Sequence, residues 1–203
     1  MKPLSPSQKK ALAHFRQHQG ILRTSQVLDL DIHPRTLYAL RDAGLVKPLA
    51  RGLYRLTELP PLTEPDLVIV SQIIPDGVIC LISALAFHEM TTQIPHVVDV
   101  ALKQGSRRPR LQHPPLRYFW FSDASWQEGT ASYRIDGVPV RITNPAKTVA
   151  DSFKFRRKLG SGIAIEALEN YYRRQEFDVS VLMHYARLCR IENVIQPYLE
   201  ALL

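Results

Sequence analysis

The sequence predicts an α+β fold in two parts, an N-terminal winged helix-turn-helix followed by a larger α+β domain with a small sheet flanked by helices. Three observations predict it. Residues 20–56 run as a capped helix, a break, a proline-started helix and then a hairpin-like extended stretch. A stiff connector follows, Leu59-Pro60-Pro61-Leu62-Thr63-Glu64-Pro65, in which proline removes ladder donors and fixes chain direction. Beyond it, runs with the period of a strand alternate with capped helical runs. The expected domains are residues 1–63 and 64–203.

Taken in order, Ser5 and Pro6 suit the cap and first residue of a helix that runs to about Gln19, with Leu12 and Phe15 facing inward and Gly20 ending it. His14 and His18 lie four apart, a spacing that metal sites use, but no nearby Cys, Asp or Glu supplies a third ligand. A solvated helix face is the simpler expectation. Thr24 is placed to cap a short helix through Leu30, since a hydroxyl there satisfies a free N–H at the helix start. After a break at Asp31 and Ile32, Pro34 fits the first turn of a second helix and Gly44 the left-handed position that closes it.

On that second helix Leu37 and Leu40 share one face, with Ile32 and Ala43 near it. Arg35, Thr36, Ala39 and Asp42 share the other, and Tyr38 and Arg41 lie at the boundary. Leu45 to Leu49, a turn at Ala50-Arg51-Gly52 and Leu53 to Leu56 then read as a hairpin with a basic tip. In this order of elements the second helix enters the DNA major groove and the wing lies along the backbone. The expected base-reading residues are Arg35, Thr36, Tyr38 and Ala39. The expected backbone contacts are Arg23, Arg41, Lys47, Arg51 and Arg55.

Past the connector, Asp66 to Ile74 and Gly77 to Met90 have helical periodicity, with Ser83 as the expected cap of the second. His96 to Leu102 reads as a buried strand around a single acid, Asp99. Lys103 to Arg117 is a basic, proline-broken surface loop carrying Arg107, Arg108 and Arg110; contact with phosphates, contact with an acidic protein and plain solvation all remain open for it. Leu116 to Phe121 alternates as a packed strand does, although aromatics beside arginine can also form a base-stacking platform. Asp136-Gly137 suits a primed hairpin turn within Tyr133 to Ile142. Asn144-Pro145 caps and starts a helix with Ala146, Val149, Ala150 and Phe153 inward, and it leads to a second basic run at Lys154, Arg156, Arg157 and Lys158. Further helices are expected around Ile163 to Gln175, Val179 to Cys189 (capped by Asp178) and Val194 to Leu203.

The whole chain has 203 residues, 45% hydrophobic and 22% charged, which are ordinary globular values. A formal net charge of +7 and a pI near 9.6 favour a polyanionic partner, because Lys and Arg near phosphates release condensed counterions. Cys80 and Cys189 lie far apart without metal-ligand spacing, as expected for reduced core thiols of a cytoplasmic protein. No leader-like segment or membrane-length apolar window is found. No cofactor, metal site or catalytic set is expected. A restriction-type nuclease needs an acid-x-Lys triplet, and Lys103, Lys147, Lys154 and Lys158 are preceded at that spacing by Ala101, Pro145, Ser152 and Arg156. Asp99 and Asp151 are left as isolated acids, expected to be a strand-edge acceptor and a helix-surface charge.

With these residues in place, the chain resembles the AbiEi-type antitoxins, transcriptional regulators of type IV toxin-antitoxin systems. The resemblance rests on Thr36-Leu37-Tyr38-Ala39-Leu40, Ala43-Gly44-Leu45-Val46, Arg51-Gly52-Leu53-Tyr54, Ile82-Ser83-Ala84-Leu85-Ala86-Phe87-His88, Gln93-Ile94-Pro95 and Asn144-Pro145-Ala146-Lys147-Thr148-Val149-Ala150-Asp151. It implies a repressor that binds double-stranded operator repeats upstream of its own operon. It also implies that the protein counteracts a cognate nucleotidyltransferase-like toxin, with or without a stable complex. The alternatives are an ordinary winged-helix regulator without a toxin, a winged-helix scaffold for protein partners, and a DNA-targeted nuclease.

Overall fold

The computed structural model describes residues 3–202 and is α+β, with a small antiparallel sheet and a larger mixed one. Two compact units divide it, Met1–Pro75 with Arg134–Val138, and Asp76–Tyr133 with Pro139–Leu203. By this division the helix after the proline-rich connector and the tip of the 130–143 hairpin group with the N-terminal segment.

In the first unit, α1 (Pro6–Gln17) starts with a capping box, in which Ser5 Oγ accepts from Gln8 N and Gln8 Oε1 accepts from Ser5 N. A three-residue strand, β1 (Ile21–Arg23), then joins the wing strands β2 (Val46–Ala50) and β3 (Leu53–Leu56) in the order β1-β3-β2, with every pairing antiparallel. Between them lie α2 (Thr24–Asp29) and α3 (Pro34–Asp42). Ala11, Leu12 and Phe15 of α1, Leu22 of β1, Val27 of α2, Leu37 and Leu40 of α3 and Val46 and Leu56 of the wing form one buried cluster. The helix pair and the wing are therefore built on a common core. The opposite sheet face carries Ile21, Leu53 and Arg55, and α4 (Pro65–Ile73) packs against β3.

Two local expectations for this unit differ from the structure. The residue before α2 is Arg23, whose N–H is satisfied by Gln26 Oε1, while Thr24 opens the helix and turns its hydroxyl to Gly52 O. Ala43 is exposed at the C-terminal cap of α3 rather than turned to the core, because Leu37 and Leu40 already fill the contact with α1.

The second unit holds a five-stranded sheet of order β6-β5-β4-β8-β7, from β4 (Val78–Ile79), β5 (Val98–Lys103), β6 (Leu116–Phe121), β7 (Thr130–Ile135) and β8 (Val138–Thr143). β5 runs antiparallel to β4 and parallel to β6, and β4 is parallel to β8, so the sheet is mixed. α5 (Leu81–Phe87) and α6 (Asp123–Gln127) interrupt it, and α7 (Pro145–Lys154), α8 (Arg156–Leu159), α9 (Ser161–Tyr172), α10 (Val179–Leu188) and α11 (Glu192–Glu200) follow. Val149, Ala150 and Phe153 of α7 pack with Leu168, Leu182, Ala186, Ile195 and Leu199 of the later helices. The expected helix from Gly77 is instead strand β4 and then α5, and Ser83 lies inside α5, accepting from Asp99 N and donating to Val97 O. Cys80 occupies the cap position. Its extended backbone is held by a ladder bond from its N–H to Asp99 O.

Candidate nucleic-acid interface

The start of α3 is built by two residues. His33 Nδ1 accepts from Arg35 N at 3.1 Å, and Pro34 occupies the first turn, where its missing N–H costs nothing. Past the last turn, Gly44 takes φ 72° and Leu45 N–H reaches back to Leu40 O at 2.9 Å, which frees the chain to enter β2. The buried face is Leu37 and Leu40; Arg35, Tyr38, Ala39 and Asp42 are exposed and Thr36 is half-buried. Tyr38 is 43% exposed, with the Arg41 guanidinium 5.1 Å from its ring centre. Arg41 also pairs with Asp42 at 2.8 Å, and that bond holds its guanidinium above the usual arginine range. The four expected base-reading residues thus lie on one polar strip of α3.

The wing tip is held against the helix pair by the backbone. Thr24 N–H donates to Gly52 O at 2.9 Å, and Gly52 has φ 73° in the turn beside exposed Arg51. Of the other expected backbone contacts, Lys47 is exposed on β2, opposite Arg55 in register. Arg23 is half-buried, one of its terminal nitrogens has no partner, and burial pushes its pKa down.

Arg55 is a correction. It is 4% exposed on central strand β3, flanked by Ile21 and Lys47, and donates to Leu59 O and Pro60 O. Burial lowers its pKa, against an opposing pull from Asp136. A guanidinium engaged with the connector in this way is not on a phosphate-binding surface. Sequence alternation could not reveal this, because the cover comes from carbonyls of the connector itself.

The second unit carries two further basic groups. Arg107, Arg108 and Arg110 lie exposed on the loop before β6, while Lys154, Arg156, Arg157 and Lys158 lie at the end of α7 and on α8. Lys154 Nζ stands 5.6 Å from the Phe121 ring centre and Lys158 Nζ 5.7 Å from that of Phe119, both near Phe155, whose ring stacks on Phe121. Arg156 donates to Phe153 O and Arg157 is exposed. The odd residues of β6 serve this packed side. The even ones face the arginine loop.

The two acids expected as isolated groups are both paired. Asp99 is fully buried and takes a bidentate contact from Arg117 at 2.7 and 2.9 Å and an N–H from Ile82. Burial pushes its carboxyl upward, and the Arg117 contact pulls it back. Arg117 is itself held above its usual range by the same carboxylate, and the bidentate geometry favours an ionised pair. Asp151 is not a helix-surface charge, since α7 is wrapped on all sides and both Asp151 and Lys147 are 0% exposed, 2.5 Å apart. Lys147 also donates to Ser125 Oγ, and Cys189 Sγ donates to Asp151 Oδ1. Each carboxylate is paired with a cation, and Asp151 Oδ2 is buried without a hydrogen-bond partner. Among the described residues no three His, Cys, Asp or Glu side chains are grouped to hold a metal ion, and His18 Nδ1 lies 2.8 Å from His14 O. Among those residues, too, no helix is long and apolar enough to cross a membrane.

The fold has a counterpart among solved structures. The crystal structure of the RV2827C protein from Mycobacterium tuberculosis superposes with a TM-score of 0.56 over 100% of this chain and 82% of that one, at 12% identity, a likeness of fold alone. No curated protein matches the sequence. Residues 9–57, from within α1 to the end of the wing, match the family model described as transcriptional regulator, AbiEi antitoxin.

Proposed function

We propose that this chain is a DNA-binding transcriptional repressor and the antitoxin of a type IV toxin-antitoxin system, which autoregulates its operon at upstream operator repeats and counteracts a nucleotidyltransferase-like toxin. The observation that carries the DNA-binding part is the polar strip Arg35, Thr36, Tyr38 and Ala39 on α3, next to a wing whose turn is bonded to α2. The family match over residues 9–57 supports the regulator and antitoxin part. Arg35 and Thr36 occupy the N-terminal end of α3, which meets base edges in helix-turn-helix complexes, and arginine is the best bidentate partner of guanine. Arg23, Arg41, Lys47 and Arg51 supply phosphate contacts that set register, and buried Arg55 does not.

The chain acts without catalysis in this reading, supported by the internal pairing of Asp99 and Asp151. Selection of bound duplexes from the DNA upstream of the chain's own reading frame, followed by competition with Arg35→Ala, tests the first half. The variant should lose about 1–3 kcal/mol on the selected site and relax base preference there; unchanged preference removes Arg35 from the reading set. Coexpression of the neighbouring gene's product with the full chain tests the second half. If that product is harmless alone, an ordinary winged-helix regulator remains.

A further inference from the structure

We propose that β6 and the loop before it form a platform for single-stranded nucleic acid, separate from the duplex-binding winged helix. The even residues of β6 present Leu116, Tyr118 and Trp120 along one face, and the loop is tied over that face by side chains. Tyr118 Oη donates to Pro109 O at 3.0 Å and Trp120 Nε1 to Ser106 O at 3.2 Å. Between loop and strand lies a cavity of about 530 Å³ lined by Arg108, Pro109, Arg110, Leu111, Leu116 and Tyr118. That is room for a nucleotide-sized group.

Charge selects an anion. Lys103 and Arg117 border the same loop, but their charges are met by Asp123 and Asp99. Arg107, Arg108 and Arg110 form no ion pair with any described residue. The Arg108 guanidinium instead lies 5.2 Å from the Tyr118 ring centre, a cation–π arrangement that consumes none of its N–H donors.

The aromatic side selects an open base. Trp120 is 46% exposed and stands 6.4 Å, centre to centre, from Tyr118, with its single ring donor already used. What it offers is exposed ring surface with no remaining donor. A base inside a duplex has both faces covered by its neighbours, whereas a base in a single strand can stack on an aromatic ring while arginines follow its phosphates. The loop and strand offer these two features side by side, and nothing in the winged-helix reading uses them.

The test uses the full chain carrying Trp126→Phe, which leaves Trp120 as the one remaining tryptophan of the two in the sequence. Trp126 Nε1 is buried without a partner, and Phe keeps an aromatic ring beneath Arg141, 4.5 Å away. Titration with an oligouridylate of about 12 nucleotides, a length within the usual single-strand site sizes, should quench Trp120 emission. Anisotropy of the labelled oligonucleotide on the unaltered chain should give the same affinity. Trp120→Ala should weaken binding about five- to 150-fold, the loss of one stacked base, and Arg108→Ala with Arg110→Ala should flatten the salt slope by about 1.4 units at most, about 0.7 for each single-strand phosphate contact. Oligothymidylate of equal length, run in parallel, reports whether the ribose contributes. Absent quenching together with absent anisotropy change overturns the proposal, as does unaltered affinity in Trp120→Ala. Equal competition by a duplex of the same length also overturns it. Arg35→Ala and Arg51→Ala should leave single-strand affinity intact; if they abolish it, the strand is bound by the winged helix and the platform is refuted.

Discussion

Replacing Lys147 by Met should cost the second unit more than any surface substitution in the chain. Lys147 and Asp151 are one turn apart on α7, 2.5 Å from each other, both fully buried. Met keeps the unbranched stem that fills the space against Gly129, where an added Cβ would already meet Lys147 Cγ at 2.8 Å. It removes only the ammonium. Asp151 is then left with the weak Cys189 thiol donor at 3.3 Å on Oδ1 and no partner on Oδ2. A buried charge deprived of its partner costs about 3–5 kcal/mol, and loss of the Lys147 contact with the Phe121 ring, 4.8 Å away, adds to it. With a urea m-value of about 2–3 kcal/mol/M, the midpoint should fall by about 1–2.5 M. The assay is urea unfolding followed by circular dichroism for the native chain, Lys147→Met, Asp151→Asn and the double variant. Because the double variant removes both charges, it should cost less than the sum of the single ones, by about 1–3 kcal/mol of coupling. Additive costs, or a Lys147→Met midpoint equal to the native one, would refute the assignment of this pair as a mutually dependent buried ion pair.

Two other outcomes follow from buried titratable groups. His88 Nε2 lies 2.7 Å from Thr143 O, and burial lowers the imidazole pKa. A histidine whose folded pKa is depressed contributes stability above the ordinary value of about 6.5 that is lost as pH falls through it. The native chain should therefore lose urea midpoint between pH values of about 7.5 and 5.5 by more than His88→Gln does; parallel pH profiles would contradict this. Burial pushes the Cys189 thiol up to about 11 and Cys80 well above its usual value. Both thiols should resist a water-soluble disulfide reagent in the native chain and react fully in denaturant, and rapid native reaction of either would contradict their burial.

Local chemistry made the N-terminal unit legible from sequence. Ser5, Pro34 and Gly44 each act within a few residues of themselves, and all three stand where caps and breaks were expected. The same holds for Asp136-Gly137 and for Asn144, whose side chain accepts from Lys147 N. Strand β1 was not legible. It has three residues and exists through pairing with β3, about thirty positions onward, a partnership that no local period encodes.

Charged residues were read least well, for one physical reason. An i,i+4 Lys/Asp pair has the same sequence signature on a wet helix face as in a core, and Lys147 with Asp151 is in the core because later helices close over α7. Arg55 is a wing-strand arginine like any other until the connector carbonyls fold onto it. Of the candidate site, the strip on α3 and the tip at Arg51 follow from helical and hairpin periodicity. The tie between Thr24 and Gly52 that aligns them does not.

The most direct test of DNA recognition by α3 and the wing is the salt dependence of duplex affinity for the native chain and for Arg51→Ala. Affinity should fall steeply with salt for the native chain. Arg51→Ala should weaken specific and random duplexes alike and flatten the logarithmic slope by about one unit, as one lost phosphate contact requires. A native affinity indifferent to salt, or an Arg51→Ala variant with native affinity and slope on random duplex, would contradict the account.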